Sequence, residues 1–203
     1  MEENETQQQV GQQSDIVKFL AELVRTAIIV ALLTIGIRTF ILQPFVVEGE
    51  SMSPTFHTSD YLLINKLGYR LGEPQRGDIV VFKFPGNLSI NYVKRVIGLP
   101  GDHIIIADGH VKVITPSDAS GVTLDEAYLP SGVTTTPVDG QATADYIVPA
   151  NNYFVLGDNR SNSSDSREWS FLPKEDLIGR VVVRAYPFNE AEILKHIQYI
   201  GLN

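Results

Sequence analysis

Hydrophobic and polar positions fall into three textures along the chain. Residues 1–15 carry four acids, no base and almost nothing apolar. A segment that buries so little cannot offset its ordering entropy, so a disordered polar tail is expected there. Residues 16–47 are nearly continuously apolar: 26–37 hold no charge, and only Lys18, Glu22, Arg25 and Arg38 interrupt the rest. The middle is apolar all round a helix, not along one stripe, which excludes an amphipathic surface helix. As a helix, 26–43 reaches about 27 Å, close to the hydrocarbon thickness of a bilayer, with Arg38 able to snorkel and Pro44 ending the run. No convincing small-x-small exit follows, so the pattern predicts an uncleaved transmembrane anchor at 16–43 instead of a cleaved leader, with a buried core helix as the alternative because the uncharged run is short for a span. Basic residues flank both ends of the apolar centre, so charge leaves the orientation open.

Beyond Pro44 the texture changes to short runs separated by turn signals. Residues 60–66, 78–83, 91–97, 103–106, 111–114, 152–156 and 178–185 are rich in β-branched and aromatic side chains, and Gly77, Pro85-Gly86, Pro100-Gly101 and Asp108-Gly109 punctuate them. Strands without alternating helices predict a mainly β domain over 44–203, built from one or two curled antiparallel sheets. Residues 115–145, rich in Ser, Thr, Gly, Pro and Asp, read as a surface excursion. Asn189 as an N-cap, acids after it and apolar Ala191, Leu194, Ile197 and Ile200 predict a short C-terminal helix.

Composition narrows the chemistry. The chain has no cysteine, which removes disulfides, thiolate metal sites and cysteine nucleophiles. With 24 acids against 16 Lys and Arg, a net charge of -8, it lacks the basic balance of a nucleic-acid binder. His57, His103, His110 and His196 show no metal-ligand spacing, so no metal is expected.

One serine stands out. Gly49 two residues before Ser51 and Pro54 three after it suit a tight turn that exposes a hydroxyl. That hydroxyl needs a base, and His57 sits in a polar turn with no obvious Asp to orient it. Lysine is the other choice, useful once desolvation has removed its proton. Strand alternation puts Tyr92, Lys94 and Val96 on one face and Val93, Arg95 and Ile97 on the other. Facing inward, Lys94 has a lowered pKa; on a solvated edge it is an ordinary cation, and the pattern alone leaves both open.

Four stretches then occur in order behind the anchor: Ser51-Met52-Ser53-Pro54-Thr55, the Arg76-Gly77-Asp78 stretch through Phe82, Lys94-Arg95-Val96-Ile97-Gly98-Leu99-Pro100-Gly101-Asp102, and the Gly157-Asp158-Asn159-Arg160-Ser161 stretch through Ser163, Asp165 and Arg167. Together they resemble the conserved boxes of the bacterial type I signal peptidases, or leader peptidases, and their thylakoid relatives, over 45–167 and more loosely over 169–187. The resemblance implies a membrane-anchored serine endopeptidase that cuts signal peptides from secretory preproteins after small-x-small motifs. It implies Ser51 as nucleophile, Lys94 as general base and Ser163 as the hydroxyl orienting that lysine. Arg95, Asp158, Asp165 and Arg167 match charged positions that brace the site. Phe45, Val47, Met52, Tyr92 and Val93 fall where the family lines its substrate pockets, and Gly49 stands where some members have a serine that helps hold the oxyanion. No cofactor and no nucleic acid are implied. The catalytic domain is expected on the extracytoplasmic or lumenal side of a plasma or thylakoid membrane, against membrane lipid. A self-cleaving Ser/Lys repressor would carry a DNA-binding domain where this chain has its apolar run.

Overall fold

The computed structural model describes residues 18–36, 42–138 and 140–202. The chain divides into two units, one ending at Ile41 and the other beginning at Leu42. In the first, helix α1 (Lys18–Gly36) has 19 residues and is long and apolar enough to cross a membrane. Its large side chains, from Phe19 to Ile35, are exposed. The expected polar tail at 1–15 and the expected helical residues 16, 17 and 37–41 lie outside the described residues.

The second unit begins with a correction. Leu42 and Gln43, assigned by the sequence to the end of the anchor, belong to strand β1 (Leu42–Val46), which runs antiparallel to β2 (Tyr61–Asn65) from Leu42↔Asn65 to Val46↔Tyr61. Pro44 does not end a helix here; it lies in the terminal strand of the sheet, where a missing N–H can face away from the ladder. After β2 come the short helix α2 (Gly68–Leu71), β3 (Ile79–Phe84), β4 (Asn87–Gly98), β5 (His103–Ala107), β6 (His110–Thr115), β7 (Asp118–Thr123), β8 (Thr143–Ile147) and β9 (Asn152–Leu156). Helix α3 (Ser166–Trp169), β10 (Leu172–Pro173), β11 (Leu177–Tyr186) and β12 (Glu192–Ile193) complete the order.

The second unit is mainly β, as the short strand-like runs predict. Its large antiparallel sheet has the order β1-β2-β11-β3-β4-β9-β10 with β12 on β11, and its small sheet the order β7-β6-β5-β8. Period-two alternation lets the large sheet bury side chains on both faces. On one face Ile79 and Val81 of β3 and Val93 of β4 join Phe56, Leu62 and Ile64, while Ile97, Phe154 and Leu156 meet Ile104, Ile106, Val111 and Val113 of the small sheet. On the other, Val80 and Phe82 pack with Val96, Tyr153, Val155 and Leu172. Each such fully buried aliphatic or Phe side chain stabilises the fold by ~1.5–3 kcal/mol.

Two further expectations change. The stretch 115–145 is not all excursion: β7 and β8 extend the small sheet on both sides, Leu124 is buried in the core between the sheets, and Thr135 is 2% exposed. The C-terminal helix is replaced by a 3-10 turn, Phe188–Glu190, and by β12, whose Ile193 pairs with Val183 of β11. The spacing that suggested a helical stripe serves two separate cores: Leu194 packs on the Ile79 cluster, while Ile197 and buried Tyr199 pack on the one between the sheets. An extended chain reaches both; one face of a helix does not.

Candidate active site

A loop leaving β1 carries Ser51. It is closed at its base by Val47 N–H on the Asp60 carbonyl (3.0 Å) and Ser59 N–H on the Val47 carbonyl (2.9 Å). Gly49, at φ +91, makes the reversal that an L side chain rarely adopts, and its N–H donates to Thr58 Oγ1 (3.1 Å). Thr58 in turn donates through its hydroxyl (2.8 Å) and N–H (3.2 Å) to Glu50 Oε1. Buried Met52 and Phe56, joined by a Phe56 N–H bond to the Met52 carbonyl (2.9 Å), root the far side of the turn in the core.

Strand β4 brings up Lys94. Its Nζ lies 2.6 Å from Ser51 Oγ and 3.0 Å from the Val93 carbonyl, and 5.0 Å from the centre of the Tyr92 ring. Lys94 is 3% exposed, and among the described residues it makes no ion pair. Burial pulls its pKa down to about 8, against the opposing pull of the Asp165, Asp158 and Glu168 carboxylates. His57 is not an alternative base: its Nδ1 sits 3.1 Å from Glu50 Oε2, on the exposed side of the loop.

The loop between β9 and α3 closes the site from behind. Arg95, beside Lys94 but on the opposite face of β4, donates Nε to Asp158 Oδ1 (2.9 Å) and Nη2 to Asp158 Oδ2 (2.6 Å). Asp165 accepts Arg167 Nε and Nη2, both at 2.8 Å, and the Gly157 N–H at 3.0 Å. The Arg95–Asp158 and Arg167–Asp165 side chains are buried, so each charge is held by its partner and not by water.

Ser163 departs from its expected role. Its Oγ is buried with no hydrogen-bond partner among the described residues, and it makes no bond to Lys94. Its close approach depends on Gly157, where an added Cβ would clash with Ser163 Oγ and come within 2.5 Å of the Ser51 carbonyl oxygen. Asn159 adds the direct clamp, with its N–H on the Ser51 carbonyl (3.0 Å) and its Nδ2 on the Glu50 carbonyl (3.0 Å). Sequence reasoning gave Gly157 and Asn159 no part, although both stand in the stretch carrying Ser163 and Asp165.

Ser51 and Lys94 open onto a cleft of about 680 Å³. Phe45, Val46, Glu48 and Gly49 line one side and Ser89 to Lys94 the other, with Asn162 and Ser164 contributing from the β9–α3 loop. Of the expected pocket residues, Phe45, Gly49, Tyr92 and Val93 line this cleft. Val47 and Met52, 2% and 1% exposed, belong to the apolar cluster that includes Val93 and packs against Phe45; they back the wall without lining it. Their side chains are drawn inward because the loop's own packing needs them. Among the described residues no group of three or more His, Asp or Glu side chains is placed to hold a metal ion.

Residues 20–186 match the family described as "Signal peptidase, peptidase S26". A probable signal peptidase I-2 of Synechocystis sp. (strain ATCC 27184 / PCC 6803 / Kazusa) is 40% identical over 180 residues, 85% of this chain and 76% of that protein. Signal peptidase I S of Bacillus subtilis (strain 168) is 38% identical over 179 residues, 85% of this chain and 92% of its own. A solved signal peptidase I structure from Enterococcus faecalis V583 is 31% identical and aligns with 54% of this chain and 97% of that one, at a TM-score of 0.42. On the extent of the family match and the identity to full-length relatives, this chain belongs to the signal peptidase family, peptidase S26, and is a serine-type peptidase.

Proposed function

We propose that the protein is a membrane-anchored endopeptidase that removes signal peptides from secretory preproteins, with Ser51 as nucleophile and Lys94 as general base. The observation that carries this reading is the 2.6 Å approach of a buried lysine amine to a serine hydroxyl at an open cleft. A lysine whose pKa is drawn to about 8 is partly neutral near physiological pH and can accept a proton.

In the first step neutral Lys94 takes the Ser51 proton as Oγ attacks the scissile carbonyl. The tetrahedral oxyanion collapses to an ester between Ser51 and the signal peptide, and the Lys94 ammonium protonates the departing amine of the mature protein. Water then attacks the ester, giving its proton to Lys94, which returns it to Ser51 as the signal peptide leaves. The Ser51 backbone N–H is one oxyanion donor in this scheme. Because Gly49 carries no hydroxyl, the second comes from a backbone amide or water.

Topology supports an extended substrate. Along Asn87 to Val93, β4 pairs with β3, and its pairing with β9 begins at Arg95. The cleft side of that segment is therefore a strand edge on which a peptide can add main-chain hydrogen bonds. Phe45, Tyr92 and Val93 leave room for small side chains at the first and third positions before the cut. Helix α1 anchors the enzyme, and the catalytic unit acts on the extracytoplasmic face, where location raises the effective concentration of membrane-borne substrates.

The test is cleavage of a preprotein bearing Ala-x-Ala by the full-length chain in detergent. Ser51→Ala lowers turnover by on the order of 10⁴-fold or more, and replacing the Ala directly before the cut by Leu blocks cleavage. Turnover surviving in Ser51→Ala would remove the nucleophile; equal cleavage of the Leu substrate would remove the steric pocket.

A further inference from the structure

Arg160, three residues past Gly157, is 3% exposed and spends all five of its N–H donors within the protein. Nε donates to the Gly157 carbonyl (3.1 Å). The other four go to one segment upstream: Nη1 to Glu126 Oε2 (2.8 Å) and Thr135 Oγ1, and Nη2 to Glu126 Oε1 and the Tyr128 hydroxyl (3.1 Å). The same segment reaches the other half of the site, because the Tyr128 ring lies under the Arg95 guanidinium at 3.9 Å.

We infer that Glu126 is a positioning residue for catalysis, acting through Arg160 on the turn that holds Ser51, so that the polar segment 124–136 braces both partners of the Ser51–Lys94 pair. This rests on the dyad reading above. The path is short and continuous. Glu126 fixes the guanidinium and the guanidinium fixes the Gly157 carbonyl. Gly157 has no side chain to hold the Ser51 carbonyl away, and Asn159 in the same turn donates to it. From the other side Tyr128 steadies Arg95, whose neighbour on β4 is Lys94. A buried ion pair is a poor source of net stability against apolar packing of the same volume. Its planar, fully used fork fixes geometry, and a misplacement of about 1 Å at a reacting pair can cost ~100-fold in rate.

Lys94 Nζ meets Ser51, the Val93 carbonyl and the Tyr92 ring, and the carboxylates of Asp165, Asp158 and Glu168 act on its charge through space. If the brace loosens, water enters beside Lys94 and the acid limb of the pH profile moves up. The experiment measures kcat and KM of the full-length chain in detergent on the Ala-x-Ala preprotein across pH, with urea unfolding of each variant. In Glu126→Gln, kcat falls about 10–100-fold with KM within about threefold, and the acid limb of kcat/KM shifts upward by roughly half to one pH unit. Glu126→Asp recovers part of the loss. Tyr128→Phe keeps the ring under Arg95 and deletes only the hydroxyl, so it tests the brace in a chain that folds; it lowers kcat by about 3–10-fold. Val113→Ala, in the small sheet, loses stability through a cavity but keeps the wild-type kcat and acid limb. The inference is overturned if Glu126→Gln and Tyr128→Phe keep wild-type kcat and acid limb, or lose activity only with the folded fraction, as Val113→Ala does. Failure of wild type to cleave, or survival of cleavage in Ser51→Ala, would instead overturn the dyad reading and this inference with it.

Discussion

Lys94 and Arg95 are adjacent on β4 and equally buried, at 3% and 2% exposed, yet the two faces of the strand treat their charges in opposite ways. On one face Arg95 meets a carboxylate through two hydrogen bonds and a third acceptor in the Gly77 carbonyl (3.1 Å), and stays a cation. On the other, Lys94 finds a hydroxyl, a carbonyl and an aromatic ring but no ion-pair partner among the described residues, and burial lowers its pKa. Alternation along one strand thus separates a fixed structural charge from a labile proton by one residue. Two of the three carboxylates that act on Lys94, Asp158 and Asp165, are already paired with arginines, so they raise its basicity only in part.

The largest expected effect comes from erasing the difference. Lys94→Arg puts a group that cannot lose its proton on both faces, and cleavage falls below detection in the preprotein assay. Measurable turnover in that variant would show that no deprotonated base is needed. Next is the paired face. Asp158→Asn strands the Arg95 cation, and the chain loses about 3–5 kcal/mol in urea unfolding followed by the fluorescence of Trp169, the single tryptophan. A loss below about 1 kcal/mol would mean that water reaches Arg95. The smallest effect has the opposite sign. Lys94→Met keeps the apolar stem and removes the charge, and stabilises the fold by about 1–2 kcal/mol at pH 7. A lysine pKa lowered to about 8 means that the folded state binds fewer protons than the unfolded one. The penalty is therefore full below pH 8 and fades as pH rises toward the ordinary lysine range, so the advantage of Lys94→Met shrinks by pH 10. Activity follows the same group, rising through about pH 8 as Lys94 deprotonates. A Lys94→Met chain less stable than wild type at pH 7 would identify Lys94 as a paired cation like its neighbour.

The sequence made this contrast legible because a period of two is local: residues 91–97 alone assign Lys94 and Arg95 to opposite faces. The strands through Leu62, Val80, Ile104 and Phe154 were readable as short runs of β-branched and aromatic residues set between turn signals. Strand β1 was hidden because its Leu42, Phe45 and Val46 continue the apolar texture of the anchor, and β8 because Thr143–Ile147 starts inside a stretch whose Ser, Thr, Gly, Pro and Asp content signals a loop. The brace was out of reach altogether. Glu126 lies 34 residues from Arg160 in a segment whose composition signals a loop, and nothing local marks it as the partner of a buried guanidinium. Ser163 was found by resemblance, but its unpartnered hydroxyl was not foreseen, since that depends on how closely Gly157 lets the loop pack.

Residues 157–167 supply a member of each of three ion pairs shielded from solvent, buried Asp158 with Arg95 and Asp165 with Arg167, and Arg160 with part-buried Glu126. Hydration of charged groups carries a strongly negative entropy, so the cost of keeping them from water declines on warming, while apolar burial gains little more. Heat therefore weakens this loop less than the apolar clusters around it. On heating, loss of cleavage and loss of the fold are therefore expected to coincide in a thermal scan of the full-length chain.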